Sequence, residues 1–181
     1  KSAKGNSTAT LRADQSTIAQ GGYKGATEGV DSTVLASKTA SATDVAYIRT
    51  STFNADGNPT PESVTATVTG AGVVCVDTVC GKSIKLLGTN GVTNFTVRAD
   101  GTAGTATVNV SSTSVTFAPK SLNFYAKSPK TITASVNNPV LNVGANASAV
   151  KATAVDANGI AWTGQLYIVA VAATDALVGG S

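Results

Sequence analysis

The sequence predicts an all-β chain organised as tandem antiparallel β-sandwiches. Three observations carry that expectation. Thr and Val number 27 and 22, against eight Leu, three Gln and two Glu, and β-branched side chains suit a pleated, half-buried surface while losing rotamer freedom in a helix. Short apolar–polar alternations recur between clusters of Gly, Asn, Asp and Pro, at roughly the 8–12-residue spacing of sandwich strands, and no 3.6-residue apolar stripe is present. A strand-and-turn pattern also returns after about 102 residues, the length of one sandwich unit.

The elements follow in chain order. An alternating run over 45–53 leads into the turn cluster Asn54-Ala55-Asp56-Gly57-Asn58-Pro59. A second run covers 63–69 and stops at Gly70-Ala71-Gly72. The cysteine-bearing stretch 73–80 comes next, then runs at 83–87, 92–98, 105–111 and 115–118. The later half offers 131–136, 148–155 and 165–172. The repeat matches 48–57 with 150–159, each a strand entering an Asx-Gly turn with another strand after it. Two units follow: residues 1–112, with a loop insertion at about 21–44 that breaks the strand rhythm, and residues 113–181, a second sandwich cut off before its last strands. The insertion has few large apolar groups, and loops of that length are interaction elements or mobile connections.

Cys75 and Cys80 flank Val76-Asp77-Thr78-Val79. If Val76 pairs with Val79 across an Asp77-Thr78 turn, the cysteines face each other on one side of a hairpin, within bridging range. A disulfide is the expected outcome, and it implies an oxidising compartment. Two thiols with no His fall short of a zinc ligand set.

Charge excludes several partners. Thirteen basic and ten acidic residues are scattered along the chain, for a net charge of +3. The one local excess, Lys120, Lys127 and Lys130 around Phe124 and Tyr125, reads as lysines on an exposed strand face or edge, where they oppose edge-to-edge pairing. No nucleic-acid partner is expected. The longest apolar run, 166–173, is eight residues, far below the roughly 20 that span a bilayer. A start at Lys1 and an end at Val178-Gly179-Gly180-Ser181 read as a fragment of a longer chain.

The stretches Asn54-Ala55-Asp56-Gly57-Asn58-Pro59, Val64-Thr65-Ala66-Thr67-Val68-Thr69-Gly70-Ala71-Gly72, Thr89-Asn90-Gly91-Val92-Thr93-Asn94-Phe95-Thr96-Val97 and Gly104-Thr105-Ala106-Thr107-Val108-Asn109-Val110 together resemble a bacterial Ig-like repeat. The invasin/intimin-type surface repeats and the Ig-like repeats of S-layer and other cell-surface proteins are the families concerned. The resemblance spans residues 45–111 and, more loosely, 114–175. It implies tandem Ig-like sandwiches serving as spacers, adhesins or lattice elements, with no catalytic residues to carry over. The cysteine hairpin and the 21–44 insertion depart from that pattern.

Catalysis is not expected. Without His, no imidazole can activate a nucleophile. The ten carboxylates stand singly, mostly in turn contexts that suit Asp for backbone reasons. No cofactor is expected, but Asn54, Asp56 and Asn58 beside Gly57 are candidate calcium ligands, resembling the first half of a calcium loop. A hairpin turn explains the same residues. Trp162 and Tyr23 are candidate sugar-stacking aromatics, with core packing the competing role for Trp162. Sequons stand at Asn6, Asn94, Asn109 and Asn146.

The sequence therefore points to a structural Ig-like module of an extracellular, cell-surface protein, contacting copies of itself or neighbouring surface domains in a layer, filament or stalk. The alternative is an adhesin or virion decoration domain that binds a receptor, glycan or cell-wall polymer.

Overall fold

The architecture comes from a computed structural model that describes residues 2–15, 29–140, 142, 144 and 146–167. Within them lie twelve strands and no α-helix: β1 (Thr8–Arg12), β2 (Leu35–Ser37), β3 (Ala46–Ser51), β4 (Ser63–Gly70), β5 (Val73–Val76), β6 (Val79–Gly81), β7 (Ser83–Leu87), β8 (Val92–Arg98), β9 (Gly104–Ser112), β10 (Lys120–Tyr125), β11 (Thr131–Val136) and β12 (Val150–Val155). The chain forms two units that divide between Lys127 and Ser128.

The first unit is an Ig-like sandwich. One sheet runs β1-β3-β8-β5-β6 and the other β2-β10-β9-β4-β7. Strands β1-β3-β8-β5 carry the A-B-E-D order of that fold, and β4-β9-β10 the C-F-G order. Alternation decides which side chains meet: in β4, Val64, Ala66 and Val68 point inward, and in β8, Phe95 and Val97 do the same. They join Leu11, Ile48, Val108, Val110, Leu122 and Phe124 in a single buried cluster.

Seven connections carry the chain from sheet to sheet, and three of them have a polar clamp. Between β1 and β2, Asp31 accepts the Leu11 N–H at 2.8 Å through one oxygen and meets the Lys120 ammonium at 3.0 Å through the other. After β3, Asn54 Oδ1 accepts the N–H groups of Asp56 and Asn58 at 2.9 and 3.1 Å, and the Gly57 N–H returns to the Asn54 carbonyl. After β4, Lys82 Nζ donates to the carbonyls of Gly70 and Gly72 and to Asp100 Oδ2. Gly72 is required there: its φ is +76°, and a Cβ would lie 2.7 Å from the Phe124 ring and 3.0 Å from the Arg98 carbonyl oxygen.

The boundary expected at 112/113 falls inside this sandwich, because β10 pairs antiparallel with β9 and parallel with β2. Lys120 is correspondingly buried rather than exposed, with 5% of its side chain accessible; Lys127 and Lys130 are exposed. Of the expected insertion, 21–28 lies outside the described residues, and 29–44 contains β2 and the Asp31 clamp instead of a plain loop. Residues 115–118 form only an isolated bridge, Ser111 to Thr116. Strands β1, β2 and β10 had no counterpart in the sequence reading.

In the second unit, β11 and β12 form an antiparallel hairpin from Thr131↔Val155 to Val136↔Val150. The strand expected at 165–172 is absent over 165–167, and 168–172 lies outside the described residues.

Stranding the Lys120 ammonium in its buried site is costly. Asp31→Ala should lower unfolding stability by about 3 kcal/mol, the low end for removing one member of a buried pair, as read by urea denaturation. Lys120→Met keeps the stem packing and leaves only the half-exposed Asp31 unpaired, so its loss should be clearly smaller.

Candidate functional site

The hairpin expected around the cysteines is present. Cys75 pairs with Cys80 and Val76 with Val79, Asp77 takes a positive φ of 53° at the turn, and the two sulfurs are bonded. Cys75 is fully buried while Cys80 sits at the exposed outer strand. The Arg98 guanidinium braces the tip, donating from Nη2 to the Asp77 carbonyl at 2.9 Å and from Nε to Asp44 at 2.5 Å.

A groove of about 240 Å³ lies on the outer face of this sheet. Tyr47 and Thr96 are cross-strand partners in its floor, and Gln15, Asn94, Arg98 and the disulfide hairpin surround them. The Thr96 hydroxyl is buried there with no hydrogen-bond partner. An aromatic ring beside amide and hydroxyl groups can hold a polar ligand.

Four carboxylates are tied into the framework. Asp31, Asp44 and Asp100 each pair with a cation. Glu62 is buried and accepts the N–H groups of Ala3 at 2.6 Å and Ser114 at 3.1 Å. Burial opposes its ionisation, but those bonds and the Ser112 hydroxyl outweigh it and lower its pKa. Burial likewise disfavours the Asp100 carboxylate, yet Lys82 and the Thr102 N–H bring its pKa down to about 2.

The candidate calcium ligands are arranged as a turn. Asn54 is buried with Oδ1 committed to two backbone N–H groups, while Asp56 and Asn58 are exposed. Among the described residues, no group of three or more Cys, Asp or Glu side chains is placed to hold a metal ion. Trp162 is half-buried with its ring against Gly164, and its indole N–H is enclosed without a partner. Tyr23 lies outside the described residues. Asn6, Asn94 and Asn109 are exposed, and the Asn146 amide donates to the carbonyls of Asn142 and Gly144. No described helix is long and apolar enough to cross a membrane.

The feature that sequence reasoning located without its geometry is the repeated turn. Asp156 Oδ1 accepts the N–H groups of Asn158 and Ile160 at 2.8 and 3.0 Å, the Gly159 N–H returns to the Asp156 carbonyl, and the Asp156 N–H reaches the Ile160 carbonyl. Asn54 makes the same four bonds to Asp56, Asn58 and Gly57. The flanking bridges Phe53↔Pro59 and Val155↔Ala161 also correspond, as do the bonds Thr60 N–H to Thr52 and Trp162 N–H to Ala154. Every pair is offset by 102 residues.

Comparison with known proteins adds little beyond the fold. No family model matches the chain, and no curated protein does. Among solved structures, the adhesin InvE of Yersinia pseudotuberculosis is similar, with a TM-score of 0.41 and 17% identity over 74% of this chain. The chain spans only 30% of that structure. At that distance the Ig-like assignment stands on the strand pairing itself.

Two outcomes test this framework. Reduction of Cys75–Cys80 opens a six-residue loop and should cost about 2 kcal/mol in the chain-entropy treatment, measured as a lower urea midpoint with dithiothreitol than without. The lowered carboxyl pKa values mean that their stabilisation is fully present above the unfolded values, near 4, and is lost as pH falls through the folded ones. Stability should therefore drop between about pH 4 and pH 2, and Asp100→Asn should flatten the lower part of that drop in acid titration followed by circular dichroism.

Proposed function

We propose that the chain is a structural module of an extracellular surface protein, in which Ig-like units in series space, join or stack domains. The repeated strand–turn–strand geometry at a 102-residue offset carries this reading, because duplicated sandwich units build elongated or repetitive assemblies. The intrachain disulfide supports an oxidising environment. Carboxylates used as clamps, together with the lack of any His, support a framework over a catalyst. A charged fraction of 13% keeps self-repulsion weak, which suits close packing of copies in a surface layer, filament or stalk.

Antibodies raised against the purified chain test this on cells that produce it. Immunogold label on intact cells, periodic along a layer or fibre, is the expected result. Label that appears only after lysis would remove the extracellular reading.

The groove beside Tyr47 favours a second reading, an adhesive domain that takes a glycan or cell-wall polymer. On a glycan array, binding that Tyr47→Ala abolishes would support it, and a blank array would leave the framework role alone.

A further inference from the structure

The β11–β12 hairpin is sharply two-faced. Residues directly opposite in an antiparallel pair share a face. Ile132↔Ala154, Ala134↔Ala152 and Val136↔Val150 make one face wholly apolar, whereas Thr131↔Val155, Thr133↔Thr153 and Ser135↔Lys151 make the other largely polar. Most of the apolar face is open among the described residues: Ile132, Val136 and Val150 are 56%, 69% and 38% exposed, while Ala152 is half-buried and Ala154 buried. A two-stranded hairpin is marginal in water unless such a face is packed against something.

The first unit shows what that something is. Val150 stands 102 residues after Ile48, and just as Val150 pairs with Val136, Ile48 pairs with Leu11. The hairpin thus holds the position that β1 and β3 hold in the sandwich. There, Leu11 and Ile48 are fully buried in a cluster with Val108 and Val110 of β9 and Leu122 and Phe124 of β10. The small residues of the hairpin face, three Ala among them, leave room for large opposing side chains of that kind.

We propose that the apolar face of β11–β12 is a docking surface for an Ig-type F-G strand pair, recognised by strands that present aliphatic and aromatic side chains at alternate positions as β9 and β10 do. The polar face stays in solvent, and docking completes a second sandwich of the same plan. This rests on the reading of the chain as serial Ig-like units but not on where the protein resides, so surface labelling and the experiment below can fail separately.

Two probes test it with the full chain. First, residues 80–127 of the same sequence, with Cys80→Ser, are joined directly after Ser181, which continues the 102-residue register. A soluble paramagnetic agent then reports the exposure of the Ile132, Val136 and Val150 methyl groups by NMR. Their relaxation enhancement should fall several-fold, to the level of Leu11 and Ile48, with Thr133 unchanged and Val136→Lys restoring the exposure. Second, a synthetic peptide of residues 103–126 is titrated into the unextended chain. It should shift those three methyl signals but not that of Val97 in the first core, and Val136→Lys should abolish the shifts. Methyl groups that stay exposed in the extended chain, with no response to the peptide, overturn the proposal. So does finding them already covered in the unextended chain, whether monomeric or dimeric by sedimentation.

Discussion

A sandwich with two apolar sheet faces forces its chain to change sheets, and every change takes backbone groups off the hydrogen-bonding ladders. Those groups must find other partners. In this chain several charged and amide side chains stand at such places. Asp31 with Lys120 holds the β1-to-β2 crossing, Asn54 the turn after β3, and Lys82 with Asp100 the crossing after β4. Glu62 ties Ala3 to Ser114 just before β4 begins. The low charge content and the fold are therefore connected. Strand faces are made largely from Thr, Val, Ala and Ser, and Asp31, Glu62 and Lys82 stand where a carbonyl or N–H would otherwise be stranded.

That division explains what was legible in the sequence. Strands β4, β8 and β9 match the sequence pattern within a residue or so because their side chains alternate between a buried and a more open face, and β7 and β11 match it through the apolar–polar alternation of their residues. The cysteine register was legible because only one pairing of Val73 to Cys80 puts both thiols on one face. Strand β1 was missed because Thr8-Ala9-Thr10-Leu11-Arg12 has a single large apolar residue, and β2 because three residues carry no period. In β10 the alternation of Leu122 and Phe124 was present, but the lysine at its start argued for a solvent edge. What buries Lys120 is a carboxylate 89 residues away, which no local pattern can reveal. The boundary expected at 112/113 was set by the length of the repeat, with no strand assigned over β10, which belongs to the first sandwich.

The candidate site was legible in a different way. Asn54, Asp56 and Asn58 were singled out for alternating oxygens, a pattern shared by calcium loops and Asx turns. In the structure Asn54 directs its oxygen at the Asp56 and Asn58 N–H groups, the Asx-turn arrangement. The groove near Tyr47 was invisible because its members come from separate parts of the chain and meet only through β3–β8 pairing.

The repeated turn shows which chemistry the fold requires. At its first position one copy has Asn54 and the other Asp156, one amide and one carboxyl, yet both accept the same two N–H groups. The amide nitrogen and the second carboxyl oxygen are therefore incidental to the turn. What both side chains supply is one planar oxygen, two bonds beyond Cβ, which closes over the next four residues. Gly follows three positions later in each, with φ of +79° at Gly57 and +75° at Gly159, because the turn needs a left-handed residue there. Sequence identity between the copies is low where strands need only alternate, and close where geometry admits few residues. A duplication in such a chain is consequently best detected at its turns, and its strands are placed by counting from them.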